Sequence, residues 1–297
     1  MRETPLLTTI AQAYGPDKFG LSFELFPPKT DAGVQGLQFH LERLAAFSPS
    51  YMTCTYGAGG STQSRTLEVI SSIRQKYQIP VATHLTCVGS TVDQLRSYLE
   101  RAKILQVNNV VALRGDPPKG ETAFRPVEGG FSYANQLVEF IRQEFAEMGI
   151  AVAGYPEKHL EAPSIEADLA NLMRKVDAGA DAVITQLFYD NADFFRFRDK
   201  CEALGIKVPI VPGLLPVTNG GQIQRITSLC GAKLPAEFLA ALSQHEDGSE
   251  GQFEVGVEFA MKQTAELISA GVPGIHYYVL NKSEAIERVL SAVSLPR

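Results

Sequence analysis

The sequence predicts an α/β fold, a single (β/α)8 TIM barrel with its active site at the C-terminal ends of the strands. Three observations predict it. Short apolar runs alternate with longer amphipathic stretches along the chain, and strand–helix repetition implies parallel pairing through right-handed crossovers. Eight such units fill a chain of 297 residues, an ordinary length for one closed barrel. The open doubly wound alternative lacks its signature: Pro27, Pro28 and Lys29 follow the first strand instead of GxGxxG, and no P-loop is present. Residues 1–297 are expected to form one catalytic barrel domain.

The predicted strands are residues 19–26, 51–56, 81–87, 109–114, 150–155, 182–188, 209–214 and 275–280. They are short and almost free of charge, as expected of parallel strands buried on both faces. Between them run helical stripes. Residues 33–47 carry Leu37, Leu41 and Leu44, and residues 91–106 carry Leu95, Leu99 and Leu105. Residues 165–180 carry Leu169, Leu172, Met173 and Val176, and a further helix covers 255–270. Ser90 and Ser164 are candidate N-caps, and Gly179 and Gly271 stand where a helix C-terminus takes glycine. Residues 117–130 and 243–252 read as surface loops.

The composition narrows the function. Hydrophobic residues make up 45%, enough for a large core, and the net charge is −6. An acidic balance argues against a nucleic-acid partner, which demands a basic footprint. Cys54, Cys87, Cys201 and Cys230 form no CxxC pair, as expected of reduced thiols. The N-terminus lacks the pattern of a signal peptide, and no apolar run approaches the ~20 residues that span a bilayer. A cytoplasmic protein with no membrane partner is expected.

Barrel active sites are built at the C-terminal strand ends. There the sequence places Glu24, Thr55 with Tyr56, His84, Arg114 with Asp116, Tyr155 with Glu157, Gln186, and Tyr278 with Asn281. Glu24 lies among Phe23, Leu25 and Phe26. It is either a salt-bridged structural glutamate or a carboxyl whose raised pKa suits general-acid work. Asp116 reads as an Asx-turn, a partner of Arg114 or a site carboxylate. His84 reads as a hydrogen-bonded barrel histidine or a site residue. Cys87 falls on the opposite face of its strand and the other histidines form no cluster, so no metal is expected. Gly57–Gly60 is a turn or a ligand cradle. Arg174 and Lys175 are solvated charges or a phosphate grip.

The strings SFELFPPK, TYGAGG, THLTC, ALRGDPP, GYPEKH, ADLANLMRKVDAGAD, ITQLFYD, PGLLP and HYYVLNK occur in this order between about residues 20 and 285. Together they resemble the bacterial methylenetetrahydrofolate reductases. The resemblance implies a flavoprotein that passes hydride from NADH or NADPH to FAD, then from FAD to 5,10-methylenetetrahydrofolate, by a ping-pong mechanism. The product, 5-methyltetrahydrofolate, supplies methyl groups for methionine synthesis. Carried over residue by residue, Glu24 matches the general acid and Asp116 the carboxylate beside the flavin. Thr55, Tyr56, Ala58, His84, Arg114, Gly115, Tyr133, Ala134, Tyr155 and His159 match positions along the flavin and its ribityl chain. Asp168, Asn171, Arg174 and Lys175 match the helix that holds the FAD phosphates and adenosine. Gln186, Gln222, Tyr278 and Lys282 match folate-side positions, Gln186 also touching the nicotinamide.

The same resemblance implies a homo-oligomer, and a chain ending at residue 297 is expected to lack the regulatory domain of the eukaryotic enzymes. Two positions depart from the pattern. Lys282 replaces an arginine and so loses a bidentate fork for a carboxylate, and Ile226 replaces an aromatic residue. Among rival readings, a Schiff-base aldolase needs a lysine at a strand end, where none is found. Proline dehydrogenase shares the flavin barrel but not these motifs. An inert scaffold has no use for Glu24, Asp116 and Gln186.

Overall fold

All eight predicted runs contribute strands to one parallel sheet in the computed structural model, which describes residues 9–15, 17–56, 63–117, 120–121 and 123–296. The strands are β1 (Gly20–Leu25), β2 (Tyr51–Cys54), β3 (Val81–Thr86), β4 (Asn109–Leu113), β5 (Gly149–Gly154), β6 (Ala182–Thr185), β7 (Ile210–Val211), β8 (Gly213–Leu214) and β9 (Gly274–Tyr278). Their order is β7-β6-β5-β4-β3-β2-β1-β9-β8. Only Pro212 separates β7 from β8. One run therefore pairs with β6 through Ile210 and Val211 and with β9 through Gly213 and Leu214, and the ring closes.

The predicted strand 209–214 is thus present but broken in two, for a local reason. Proline has no N–H to give to a ladder. Its carbonyl accepts from the His276 N–H at 3.0 Å, and the Gly213 N–H turns to Thr185 Oγ1 at 2.9 Å. The Tyr278 hydroxyl crosses the same seam to the Thr185 carbonyl at 2.8 Å. A Cβ on Gly213 would lie 2.2 Å from that carbonyl oxygen and 2.8 Å from Tyr278 Cε2, so glycine is required here.

The helices are α1 (Ile10–Ala13), α2 (Asp31–Ala45), α3 (Gln63–Tyr77), α4 (Val92–Ile104), α5 (Ala134–Glu144), α6 (Ile165–Asp177), α7 (Asn191–Ala203), α8 (Gly220–Cys230), α9 (Ala236–Leu242), α10 (Glu250–Ser269) and α11 (Glu284–Ala292). Thr91, not Ser90, caps α4: its hydroxyl accepts from the Gln94 N–H while the Gln94 side chain returns to the Thr91 N–H, a closed capping box. Ser164 caps α6 as expected. Gly179 and Gly271 take φ of 114° and 73° past the ends of α6 and α10. α10 starts at Glu250 rather than 255 because Ser249 caps it.

Alternation along the strands sorts the core into two layers. Leu21, Phe23 and Leu25 of β1 pack outward against the helices, with Met52, Leu85 and Val110 in the same layer. Inside the ring, Ala82, Val111, Ala151, Ala182, Ile184 and Val211 pack with Ile10, Ala13 and Tyr14. These last three come from the α1 region, which plugs the N-terminal end of the barrel. The Ile10 N–H is held there by Asn109 Oδ1 at 2.8 Å. Among the described residues no helix is long and apolar enough to cross a membrane.

Candidate active site

The inward positions of β1 are Ser22 and Glu24, and both are buried. Glu24 is 8% exposed. Its Oε2 lies 3.3 Å from His84 Nε2 on β3 and 3.6 Å from His276 Nε2 on β9. His84 Nε2 also meets Thr53 Oγ1 of β2 at 3.3 Å, and His276 Nδ1 meets Ser22 Oγ at 2.8 Å. The expected raised pKa of Glu24 needs correction. Burial pushes its carboxyl up, but His84 beside it and the hydrogen bond and charge of His276 pull it down further, leaving it below the ordinary value. Burial holds His84 below its own ordinary value, with Glu24 opposing and His276 assisting. Phe23 and Leu25 face the helices and Phe26 is exposed, so these apolar neighbours in sequence do not keep the carboxyl neutral.

A second cluster forms where β4 and β5 end. Arg114 is clamped by Glu161 at 2.6 and 2.8 Å and lies over the Phe124 ring at 5.0 Å. Asp116 is therefore not its ion-pair partner, and its carboxylate is exposed. Gly115 between them has φ of 87°, and a Cβ there would lie 2.6 Å from Val88 Cγ1. Tyr155 meets the edge of His159 at 4.7 Å. The His159 N–H donates to Asp168 Oδ2 at 2.9 Å. Lys175 reaches inward from α6 to the Ala153 carbonyl at 2.5 Å, 5.9 Å from the Tyr155 ring. Burial lowers its ammonium to about 8, with Asp168 acting the other way through space. The Thr86 hydroxyl at the end of β3 is buried without a hydrogen-bond partner among the described residues.

Other sequence-derived candidates stand around these two clusters. The Thr55 carbonyl accepts from Thr66, and the Tyr56 ring packs edge-on to Tyr98 of α4 at 5.2 Å, on the helix side of the barrel. Ala58 lies outside the described residues. Tyr133, at the N-terminus of α5, is 63% exposed, and Ala134 begins that helix. Asn171 and Arg174 pair with each other on the outside of α6 at 2.5 Å, so Arg174 and Lys175 point to different surroundings. Gln186 continues β6, its N–H bonded to the Gly154 carbonyl at 2.7 Å and its Oε1 to the Leu187 N–H at 2.9 Å. Gln222 in the first turn of α8 and Lys282 after β9 are both exposed. Ile226 packs partly buried beside Leu187, Tyr189 and Leu215. Asn281, with φ of 59°, carries the β1–β9 contact one step further, its amide bonded to both the N–H and C=O of Phe26 at 2.8 Å.

Sequence reasoning missed Ser22, Thr53, Glu161 and His276. All but Glu161 carried a signal, Thr53 by standing two residues before Thr55. Ser22 precedes Glu24 by two residues, and His276 stands two before Tyr278, so period-two alternation puts each on the face of a residue already singled out. Glu161 had no such mark.

A family model described as methylenetetrahydrofolate reductase matches residues 9–294. The chain is 38% identical over 276 residues to 5,10-methylenetetrahydrofolate reductase of Escherichia coli, covering 93% of this chain and 90% of that one. It is 39% identical over 300 residues to methylenetetrahydrofolate reductase (NADH) 1 of Zea mays, covering 98% of this chain but 51% of that one, so it spans about half the length of the plant relative. Among solved structures, an uncharacterized protein from Clostridium thermocellum, described as binding two copies of 5-methyl-5,6,7,8-tetrahydrofolic acid, superposes with a TM-score of 0.61 at 16% identity, over 97% of this chain and 98% of that one. At that identity the likeness concerns the fold.

Proposed function

The chain belongs to the methylenetetrahydrofolate reductase family, and we propose that it reduces 5,10-methylenetetrahydrofolate to 5-methyltetrahydrofolate with electrons from NADH or NADPH carried by FAD. The observation that carries the reading is a buried carboxyl, Glu24, set between two imidazoles at the strand ends of a closed barrel. The name of the maize relative favours NADH as the donor.

The residues at the ends of β4 and β5 suit a dinucleotide cofactor. Lys175 is a cation with a lowered proton affinity, bonded to a carbonyl rather than a carboxylate. A diphosphate would relieve it. Thr86 offers an unspent hydroxyl beside Gly115, whose lack of a side chain lets the backbone after β4 turn tightly against Val88 and Thr86. Arg114, Gly115, Asp116, Tyr155 and His159, with Thr55, Tyr56, Ala58, His84, Tyr133 and Ala134, would hold the flavin part. Asp168, Asn171, Arg174 and Lys175 would hold the rest. Bound FAD supplies a two-electron carrier that accepts hydride from the nicotinamide and returns it to the folate methylene carbon.

The protein's own work is proton placement and orientation. Opening the imidazolidine ring of the folate requires a proton on the departing nitrogen and leaves an iminium able to accept hydride. Glu24 gives that proton. Occupation of the barrel mouth removes water and favours the neutral carboxyl, offsetting the pull of His84 and His276. Gln186, Gln222, Tyr278 and Lys282 orient the folate, and Gln186 serves the nicotinamide in turn, so the two substrates alternate in one place.

Purified protein is expected to be yellow, to bleach with NADH under anaerobic conditions and to recover its colour on adding methylenetetrahydrofolate. Protein that carries no flavin, or reduced protein that methylenetetrahydrofolate does not reoxidise, would contradict the proposal.

A further inference from the structure

The hydrogen-bonded groups around Glu24 do not end at His276. Tyr14 follows α1, and its ring enters the floor of the barrel where Gly20 and Gly274 carry no side chain. A Cβ on either glycine would fall 2.2 or 2.7 Å from Tyr14 Cε1. The Tyr14 hydroxyl lies 2.6 Å from that of Tyr51 and 3.4 Å from Ser22 Oγ. The two tyrosine rings meet edge to face at 6.1 Å. Ser22 Oγ is 2.8 Å from His276 Nδ1, and His276 Nε2 faces Glu24 at 3.6 Å. A row of polar groups thus runs inside the ring from the N-terminal plug to the carboxyl at the mouth.

Chemistry gives this row a direction. Phenols are more acidic than an aliphatic hydroxyl and donate better, and an imidazole lone pair is the strongest neutral acceptor present. The favoured arrangement has a tyrosine hydroxyl donating to Ser22 and Ser22 donating to His276 Nδ1. Each bond in such a chain strengthens the next. Whenever the His276 ring is neutral, its one proton then sits on Nε2, aimed at Glu24, where it favours the carboxylate. With a proton on Nδ1 instead, a lone pair would face the carboxylate and favour its protonation.

We propose that Tyr14 and Tyr51 are positioning residues that hold His276 in its Nε2–H form and thereby set the pH at which Glu24 gives up its proton. This rests on the reading of Glu24 as the general acid. The titratable groups that act on Glu24 are His84 of β3 and His276 of β9, while Tyr278 of β9 and Cys54 of β2 stand near enough for Glu24 to raise them in turn. The α1 region, remote from the mouth, becomes part of the acid's surroundings.

The test uses the holoenzyme with ¹⁵N-labelled histidine. The chain has five histidines, and His276 is assigned by the signal lost in His276→Gln. The wild-type ring is expected as the Nε2–H form. In the Tyr14→Phe/Tyr51→Phe protein, which keeps both rings, the Nδ1–H form should become populated. The pH midpoint of flavin reoxidation by methylenetetrahydrofolate should rise by about half a unit, the worth of a fraction of one hydrogen bond. The midpoint of flavin reduction by NADH should not move. Each single variant carries the same expectation in smaller measure, should the double variant fold poorly. An unchanged His276 tautomer overturns the proposal. A changed tautomer with an unmoved midpoint overturns the link to Glu24. Failure of the underlying reading shows differently, as a Glu24→Gln enzyme whose folate step is unimpaired.

Discussion

Every second side chain of β1 points at the barrel axis, so Glu24 enters the core in company with His84, Thr53 and His276. The two imidazoles hold its carboxyl below the ordinary value against the push of burial. A general acid works only while it holds its proton. The folate step is therefore expected to slow as pH rises from the acid side, and His84→Gln, which removes a downward influence, should move that decline to higher pH. Rapid-mixing reoxidation across a pH series measures both, and a decline unaffected by the substitution would contradict the assignment. The carboxyl itself was legible in the sequence, because a lone charge in an apolar run must have a partner or a task. Its proton affinity was not legible, because both partners arrive from strands remote in sequence. The same limit applies to Arg114, whose neighbour Asp116 was the evident partner. A bidentate pair with Glu161 forms instead.

At the scale of elements, α6 and the split seventh strand make separate predictions. Lys175 of α6 has a folded value of about 8 against an ordinary 10.5. The unfolded chain binds that proton over a range in which the folded chain has lost it, so this group's contribution to stability rises with pH between those values. In the flavin-free protein, Lys175→Met should be more stable than wild type at neutral pH, with a gap that shrinks toward pH 10. Urea unfolding measures it, and a gap independent of pH would contradict the burial. Lys175→Met should also retain less FAD than Arg174→Ala, since only Lys175 faces the β5 side of α6. At the seam, Gly213→Ala forces a methyl against the Thr185 carbonyl and Tyr278. A cost of about 1–3 kcal/mol is expected, the usual range for overpacking, read as a lowered melting temperature. An unchanged melting temperature would mean the seam yields. Strand and helix positions were largely legible from periodicity. The α1 plug was not, since it arises from filling the barrel floor and has no local pattern; Pro212 marked where the seventh strand breaks, but not that its two halves pair with β6 and β9 to close the ring.

Over the whole molecule the interior is divided. β1, β2, β3 and β9 bring Ser22, Glu24, Thr53, His84 and His276 inward, while β4 to β7 bring mostly alanine, valine and isoleucine. The polar half ends at the mouth, beside the Arg114–Asp168–Lys175 cluster proposed to hold FAD. If nicotinamide and folate share one mouth, as proposed, double-reciprocal plots will be parallel, and intersecting plots would reveal a ternary complex. As proposed, this barrel reduces methylenetetrahydrofolate with Glu24 as the proton donor. The most direct measurement follows the two half-reactions of Glu24→Gln separately, by flavin absorbance under anaerobic rapid mixing. Reduction by NADH, which involves no departing nitrogen, should proceed near the wild-type rate. Reoxidation by methylenetetrahydrofolate should slow by about 10²–10⁴-fold, the usual worth of general-acid catalysis. An unimpaired folate step, or equal losses in both half-reactions, would contradict the account.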